Sequence, residues 1–261
     1  MLVENKQQIL ITGGNGYIAK SLYNSLKDKY DITCITRQDF DLTDSFETLK
    51  YFSNEYFDIV IHCAVSGGSR LKPDTWKDMD NNLKMYYNLL NCKNNFSKLI
   101  HFGSGAEINV PESPYGLSKR IINNSISEQE NFYNIKIFAV FDENELNTRF
   151  IKGNIRRYIN KEPIIIHQDK HMDFFYIKDL ISLVDHYINN NNLPKQIDCS
   201  YNKSYTLSDI ANIINSLDDY KVDIKIEQKG MSSSYCGITN MLIDFIGLEQ
   251  GIKEVYNKLK I

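Results

Sequence analysis

The segment Ile9–Lys20, ILITGGNGYIAK, constrains this chain more than any other: an apolar run meets a glycine turn and then a helical pattern. A glycine pattern alone says little, but between a strand and a helix it becomes informative. Gly13 permits the tight turn, and Gly16 lets the backbone approach a pyrophosphate. The free amides and dipole of the helix N-terminus then stabilise that anion. Ala19 is small enough for the helix to pack closely on the strand. The competing reading is a glycine-rich turn with no ligand, and the strand before it and the helix after it argue against that.

The rest of the first half repeats the rhythm. Gln7–Thr12, Asp31–Thr36, Asp58–His62, Lys98–Phe102 and Ile135–Val140 read as short strands, nearly continuous in apolar residues, as strands covered on both faces should be. Helical spacing recurs near 17–29, 44–55, 75–95 and 115–130. The expected fold class is therefore α/β, a Rossmann doubly wound parallel sheet. After about residue 141 the alternation loosens. Helices are expected near 148–160, 178–190, 206–217 and 248–259, and short strands at 163–167, 173–177, 196–199 and 221–226. Thr206, with Asp209 three residues on, reads as a helix N-cap. The expected division is a Rossmann core over 1–145 and a small C-terminal α/β substrate-binding lobe over 146–261, with 173–200 returning to the sheet.

Composition narrows the partners. Apolar residues make up 42% and charged ones 24%, and the formal net charge is −3, so no basic footprint points to nucleic acid. Cys34, Cys63, Cys92, Cys199 and Cys236 are scattered, odd in number and without a CxxC pair, which fits reduced thiols and a cytoplasmic setting. No His, Asp or Glu cluster has metal spacing. A first strand from residue 7 leaves no room for a signal peptide, and no run of roughly 18 apolar residues exists to span a membrane.

Two further features suggest chemistry. The second strand ends at Thr36–Arg37, where an acidic residue would favour a free ribose 2′-hydroxyl. Arginine supplies a cation and a planar fork for a 2′-phosphate, so NADP is favoured over NAD, unless Arg37 is only a solvated surface residue. Asp44 is placed to cap the next helix, and Asp41 to meet an adenine amine. Tyr115 and Lys119 follow Pro114 at a helix start; four apart, they share a face. An ammonium beside a phenol favours the phenolate and prepares the tyrosine to give or take a proton.

With the glycine turn, this pair makes the sequence resemble the extended short-chain dehydrogenase/reductase family, also called the NAD-dependent epimerase/dehydratase family. The resemblance runs through TGGNGYIA, DLTD, DIVIHCAV, NNLKMYYNLL, LIHFGSGAE, PYGLSK, HMDFFYIKDL and LEQGIKEV in that order. It implies that Tyr115 is the catalytic acid/base, that Lys119 binds the nicotinamide ribose and tunes it, and that Ser104 polarises the substrate carbonyl. It implies cofactor contacts from Gly13, Asn15, Gly16, Tyr17, Ile18, Arg37, Asp41, Leu42, Cys63, Ala64 and Val65. Substrate contacts are implied for Ser66, Gly67, Ser104, Gly105 and Arg149. Asn82 matches a helix asparagine with either a packing or a catalytic part. Arg156 and Arg157 fall where the family binds a nucleotide diphosphate, or else form a solvated helix face. Trp76, Tyr86 and Tyr87 lie on a helix that packs in the family's homodimeric four-helix bundle, or else in the monomer's own core.

The departures from the family's pattern sharpen the expectation. Dehydratases place an acidic pair directly after the hydroxyl residue, where this chain has Gly105 and Ala106. Elimination of water needs an acid and a base there, so dehydration is not expected. The region ITRQDFDLTDSFETLKYF to DIVIHCAVSGG is most similar to the GDP-fucose synthase branch, whose epimerising cysteine is replaced by Ala106 and whose histidine is missing from FDENELNTRF. Eleven positions separate Ser104 from Tyr115, a shortened active-site loop, and Met172 stands where the family often has arginine. His62 and His101 are expected to pack at the sheet ends, or else to take a catalytic part, and His167 and His171 to lie at the surface, or else to face the substrate. The expected activity is NADPH-dependent reduction of a nucleotide-linked keto-sugar, a 4-keto-6-deoxy sugar for surface polysaccharide. The alternatives are a C4 epimerase with tightly bound cofactor and a non-catalytic NADP-binding redox sensor.

Overall fold

A computed structural model describes residues 6–69, 72–238 and 243–260. Strand β1 (Gln8–Thr12) leads into helix α1 (Tyr17–Leu26), followed by β2 (Asp31–Ile35), α2 (Ser45–Phe52), β3 (Phe57–His62) and α3 (Trp76–Asn91). Then come β4 (Phe96–Ser104), the short α4 (Ala106–Asn109), α5 (Pro114–Ser127) and β5 (Phe132–Ile137). The remainder comprises β6 (Val140–Phe141), α6 (Phe150–Ile159), β7 (Ile164–Asp169), β8 (Phe175–Tyr176), α7 (Ile177–Asn189), β9 (Gln196–Asp198), α8 (Leu207–Ile214), β10 (Ile224–Met231) and α9 (Leu248–Leu259).

Six strands form one sheet in the order β2-β1-β3-β4-β5-β9. The pairs β1–β2, β1–β3 and β3–β4 are parallel. The chain leaves β1 to one side for β2 and to the other for β3, so the strand order reverses at β1. In open α/β sheets this reversal opens the crevice at the carboxyl ends of the strands where ligands bind. The inner strands are buried because helices cover them: Ile9, Leu10, Ile11, Val60, Ile61, Leu99 and Ile100 have no exposed surface. One core cluster packs Leu10, Val60 and Leu99 against Phe52 of α2, Met85, Tyr86 and Leu89 of α3, and Ile122 and Ile126 of α5. Within it the Phe52 ring lies 6.1 Å from both Phe57 and Phe96.

Contacts within the chain define two units. The first runs to Lys136 and takes back Val184–Ile197; the second holds Ile137–Leu183 and the chain from Asp198 onward. In the first unit, Lys98 of β4 is buried and donates to the carbonyls of Tyr187, Ile188 and Asn190, which tethers the end of α7. In the second, β7 pairs with β10 and β6 with β8, both parallel. Buried Asp179 there accepts from the amides of Ile246 and Gly247 and from the Tyr201 hydroxyl, fixing the chain ahead of α9. The capping expectations are met: Asp44 accepts from the Glu47 amide, and Thr206 and Asp209 form a capping box.

Several elements differ from expectation, β10 for example covering Ile224–Met231 instead of 221–226. The strand expected at 135–140 splits, because β5 ends at Ile137 and Val140–Phe141 pairs with β8 instead. The strand expected at 173–177 keeps only two residues, since Ile177 already begins α7. Helix α4 was not expected; four residues are too few to display a helical period. All five cysteines are free thiols. Among the described residues no helix is long and apolar enough to cross a membrane.

Candidate active site

The glycine turn is built as a cradle. Gly13 has φ +70°, and a Cβ there would lie 2.7 Å from Ala64 Cα, so only glycine lets the turn sit against the segment leaving β3. The Gly16 amide donates to Gly13 O at 2.8 Å, and the Gly14 amide donates to Ile35 O at 2.9 Å, joining the turn to the end of β2. No side chain caps the N-terminus of α1. Backbone amides and a missing Cβ at a helix start are what a pyrophosphate needs, so these residues fit the diphosphate of a dinucleotide. Gly13, Gly16, Tyr17, Cys63 and Ala64 are thereby drawn to one edge, and exposed Arg37 stands just past the end of β2.

The two residues of the DLTD block are occupied locally. Asp41 Oδ1 accepts from both the amide and the hydroxyl of Thr43 at 2.9 Å, and these bonds, with Arg37 nearby, hold its carboxyl below the usual range. Leu42 is buried in the core, and its carbonyl accepts from Asn88 Nδ2 at 2.8 Å. Its side chain packs into the core cluster of the first unit.

Beyond β3 the chain is clamped by α3. Asn82 Oδ1 accepts from the Ser66 amide at 2.8 Å, and Asn82 Nδ2 donates to Ser66 O at 2.9 Å and to Ser118 Oγ at 3.2 Å. Ser66 Oγ donates to Asp78 Oδ1 at 2.6 Å, and the Gly68 amide to Asp74 Oδ1 at 2.6 Å. Gly67 and Gly68 both have positive φ. A Cβ on Gly68 would lie 2.8 Å from Cζ and 3.2 Å from the hydroxyl of Tyr115, so this loop lies directly against the tyrosine. Asn82 therefore has a structural task, holding the segment that holds Tyr115.

Tyr115 sits in the first turn of α5, where Ser113 is the N-cap and Pro114 is pre-set for a helix start. One turn on, Lys119 is buried, with Nζ 5.8 Å from the centre of the Tyr115 ring and donating to Phe102 O at 2.7 Å. Burial draws the Lys119 ammonium down to about 8, with Glu107 pulling the other way. His101 Nε2 lies 3.4 Å from Nζ, and His62 faces His101 across the β3–β4 pair with ring centres 5.3 Å apart. Both imidazoles are buried and resist protonation, His62 down to about 3, chiefly because burial disfavours the cation. They stay neutral behind the lysine, in keeping with the packing role expected of them.

Ser104 ends β4 and is buried, its Oγ accepting from the Ala106 amide at 3.1 Å and its own amide donating to Glu107 Oε1 at 2.9 Å. In the second unit, half-buried Arg149 is the N-cap residue of α6, Arg156 reaches Asn147, and Arg157 pairs with Glu162. His167 is exposed and paired with Glu227, and His171 meets Ser204. On α3, Tyr86 is wholly buried and bonds Ser125 of α5, while Trp76 and Tyr87 remain exposed. Among the described residues, no group of three or more His, Cys, Asp or Glu residues is placed to hold a metal ion. Sequence reasoning missed Gly68, Asp74, Glu107 and Asn134; a polar asparagine inside the apolar strand FYNIKI was the one available signal.

The fold is shared with solved structures of low sequence identity. A GDP-mannoheptose C4 reductase from Campylobacter jejuni with NADP bound superposes with a TM-score of 0.81 at 15% identity, covering 99% of this chain and 100% of that one. A GDP-D-glycero-L-gluco-heptose synthase from the same organism, solved in the presence of NADPH, gives 0.79 at 16%, covering 100% and 99%. A UDP-glucose 4-epimerase from Thermotoga maritima with UDP-glucose gives 0.77 at 16%, covering 97% and 98%. No curated protein sequence matches. The family profile matches residues 9–202, well over half the chain, and with this fold and this tyrosine–lysine helix the chain belongs to the NAD-dependent epimerase/dehydratase family, the extended short-chain dehydrogenases/reductases.

Proposed function

We propose that this protein is an NADPH-dependent ketoreductase acting on a nucleotide-linked keto-sugar, a 4-keto-6-deoxy sugar used for surface polysaccharide. The observation that carries this reading is Tyr115 held against Gly68 with buried Lys119 one turn behind it. When bound, NADPH supplies the hydride for the ketone carbon. Tyr115 gives the proton to the carbonyl oxygen, and Ser104 hydrogen-bonds that oxygen as negative charge develops on it. Lys119 holds the nicotinamide ribose and keeps a positive charge behind the phenol. The glycine turn takes the pyrophosphate, with Asn15, Ile18 and Val65 beside it, and Arg37 takes the 2′-phosphate. Ser66, Gly67 and Gly105 contact the sugar nucleotide, and Arg149 of the second unit is assigned to the same substrate by the family resemblance alone.

Gly105 and Ala106 support simple reduction, because neither bears the acid or base that dehydration, or epimerisation at carbons beside the carbonyl, requires. The Campylobacter reductase with NADP bound lends the same support by fold. A C4 epimerase is the second reading, favoured by the fold shared with the Thermotoga enzyme. We read the enzyme as a cytoplasmic homodimer joined through a four-helix bundle to which α3 contributes, with exposed Trp76 and Tyr87 in the contact.

GDP-, dTDP-, UDP- and CDP-linked 4-keto sugars, offered with NADPH, separate these readings. One of them should consume NADPH in proportion to product. Interconversion of sugar isomers without net NADPH loss would establish the epimerase instead.

A further inference from the structure

Glu107 is a carboxyl only 5% exposed, three residues past Ser104. Burying a carboxyl is costly unless hydrogen bonds and nearby charge compensate, and here they converge on Ser104. Glu107 Oε1 accepts from the Ser104 amide at 2.9 Å. Asn134, wholly buried in β5, brings its Nδ2 to 3.4 Å and 3.5 Å from the two carboxyl oxygens and donates to Asn123 Oδ1 of α5 at 2.8 Å. Asn123 in turn donates to Gln196 Oε1 of β9 at 3.2 Å. Gly103 is glycine for this purpose: a Cβ there would collide with Glu107 Oε1 and with the Asn134 carboxamide.

The result is a serine fixed at both ends. Its amide is tied to Glu107 and its Oγ receives the Ala106 amide at 3.1 Å. A hydroxyl has one proton and two lone pairs. With one lone pair engaged by Ala106, the proton remains available to a substrate oxygen. The Glu107–Asn134–Asn123 chain joins α4, β5 and α5, the last being the helix that carries Tyr115 and Lys119, and the Ser104 amide links it to the end of β4.

We propose that Glu107, backed by Asn134, is a positioning residue that sets the direction of the Ser104 hydroxyl toward the substrate carbonyl. This rests on the reading of Ser104 as the group that polarises that carbonyl. Glu107 acts through the Ser104 backbone.

The test compares Glu107→Gln, which keeps an acceptor oxygen, with Glu107→Leu, which keeps the volume and removes it. Leucine should lower kcat on the order of 100-fold, the cost of a misplaced catalytic group. KM and NADPH affinity should stay within about twofold, and glutamine should restore kcat to within about threefold of the unmodified enzyme. In a Ser104→Ala background, Glu107→Leu should cost nothing further, because the two residues act as one unit. A full additional loss in that background, or glutamine as damaging as leucine, would overturn the proposal. An NMR scalar coupling across the hydrogen bond, from the Ser104 amide nitrogen to the Glu107 carboxyl carbon, is read on the unmodified protein and needs neither substrate nor a folded variant. Its absence also overturns the proposal. If that coupling is present but no keto-sugar is reduced, the function assigned to the site fails and the Glu107–Ser104 bond stands.

Discussion

The Tyr115 ring lies against the α-carbon of Gly68, close enough that a single added methyl would stand 2.8 Å from Cζ. Gly68 has φ +71°, and Asp74 holds its amide at 2.6 Å, so the loop cannot retreat without losing that bond. Gly68→Ala should therefore displace the phenol. Turnover should fall on the order of 100-fold while NADPH binding persists, and the left-handed backbone should cost about 1–2 kcal/mol of stability. Steady-state kinetics with urea unfolding measure both, and unchanged kcat would show that the loop does not set the tyrosine.

Arg37 is exposed beyond β2, whose last carbonyl bonds the glycine turn at 2.9 Å. In the proposed cofactor site a guanidinium there would contact a 2′-phosphate that NADH lacks. Losing one charge-assisted interaction, about 1.5–3 kcal/mol, weakens NADPH binding by about 10- to 100-fold in Arg37→Ala. NADH affinity should be nearly constant. Fluorescence titration with both nucleotides is the measurement, and equal losses would remove the basis for naming NADP.

Lys119 titrates at about 8 because burial disfavours its ammonium. The charged form, which the role proposed for Lys119 at the cofactor ribose and Tyr115 requires, is present below that value and lost above it. NADPH affinity should therefore decline as pH rises from about 7 to about 9. Lys119→Arg keeps its charge throughout and should lose this alkaline limb, at lower affinity overall. A flat profile in the unmodified protein would mean that the lysine charge plays no part in binding.

Much of this site was legible as local pattern. A strand, a glycine turn and a helix are contiguous, so ILITGGNGYIAK announces its own geometry, and Tyr115 and Lys119 share a helical face by spacing alone. The caps at Asp44 and Thr206 are local for the same reason. Gly68 was invisible because its conformation answers to a tyrosine 47 positions later (115 − 68), and Glu107, on the short helix α4, because its partner Asn134 lies far along the chain in strand β5. Leu42 matches a cofactor position by pattern, and its burial in the core could not be read from that pattern, since burial is decided by what packs opposite. Long-range contacts leave little trace in one sequence unless a polar residue interrupts an apolar strand, as Asn134 does.

Glu145 carries the last prediction. It lies in the turn before α6, accepts from the Lys152 amide at 3.2 Å and is only 7% exposed. Burial raises its carboxyl to about 8, against an unfolded value near the ordinary 4.5. The sign follows from proton counting: between those values the folded state holds a proton that the unfolded state has lost. Raising the pH through this window therefore draws the equilibrium toward unfolding, and the penalty is complete above about 8. Glu145→Gln keeps the acceptor oxygen and has no charge to bury. The variant should match the unmodified protein near pH 4.5 and exceed it progressively toward pH 8, by an amount on the order of 1–3 kcal/mol. Urea midpoints at a series of pH values measure the difference, and a constant offset between the two proteins would show that Glu145 is ionised in the folded state throughout.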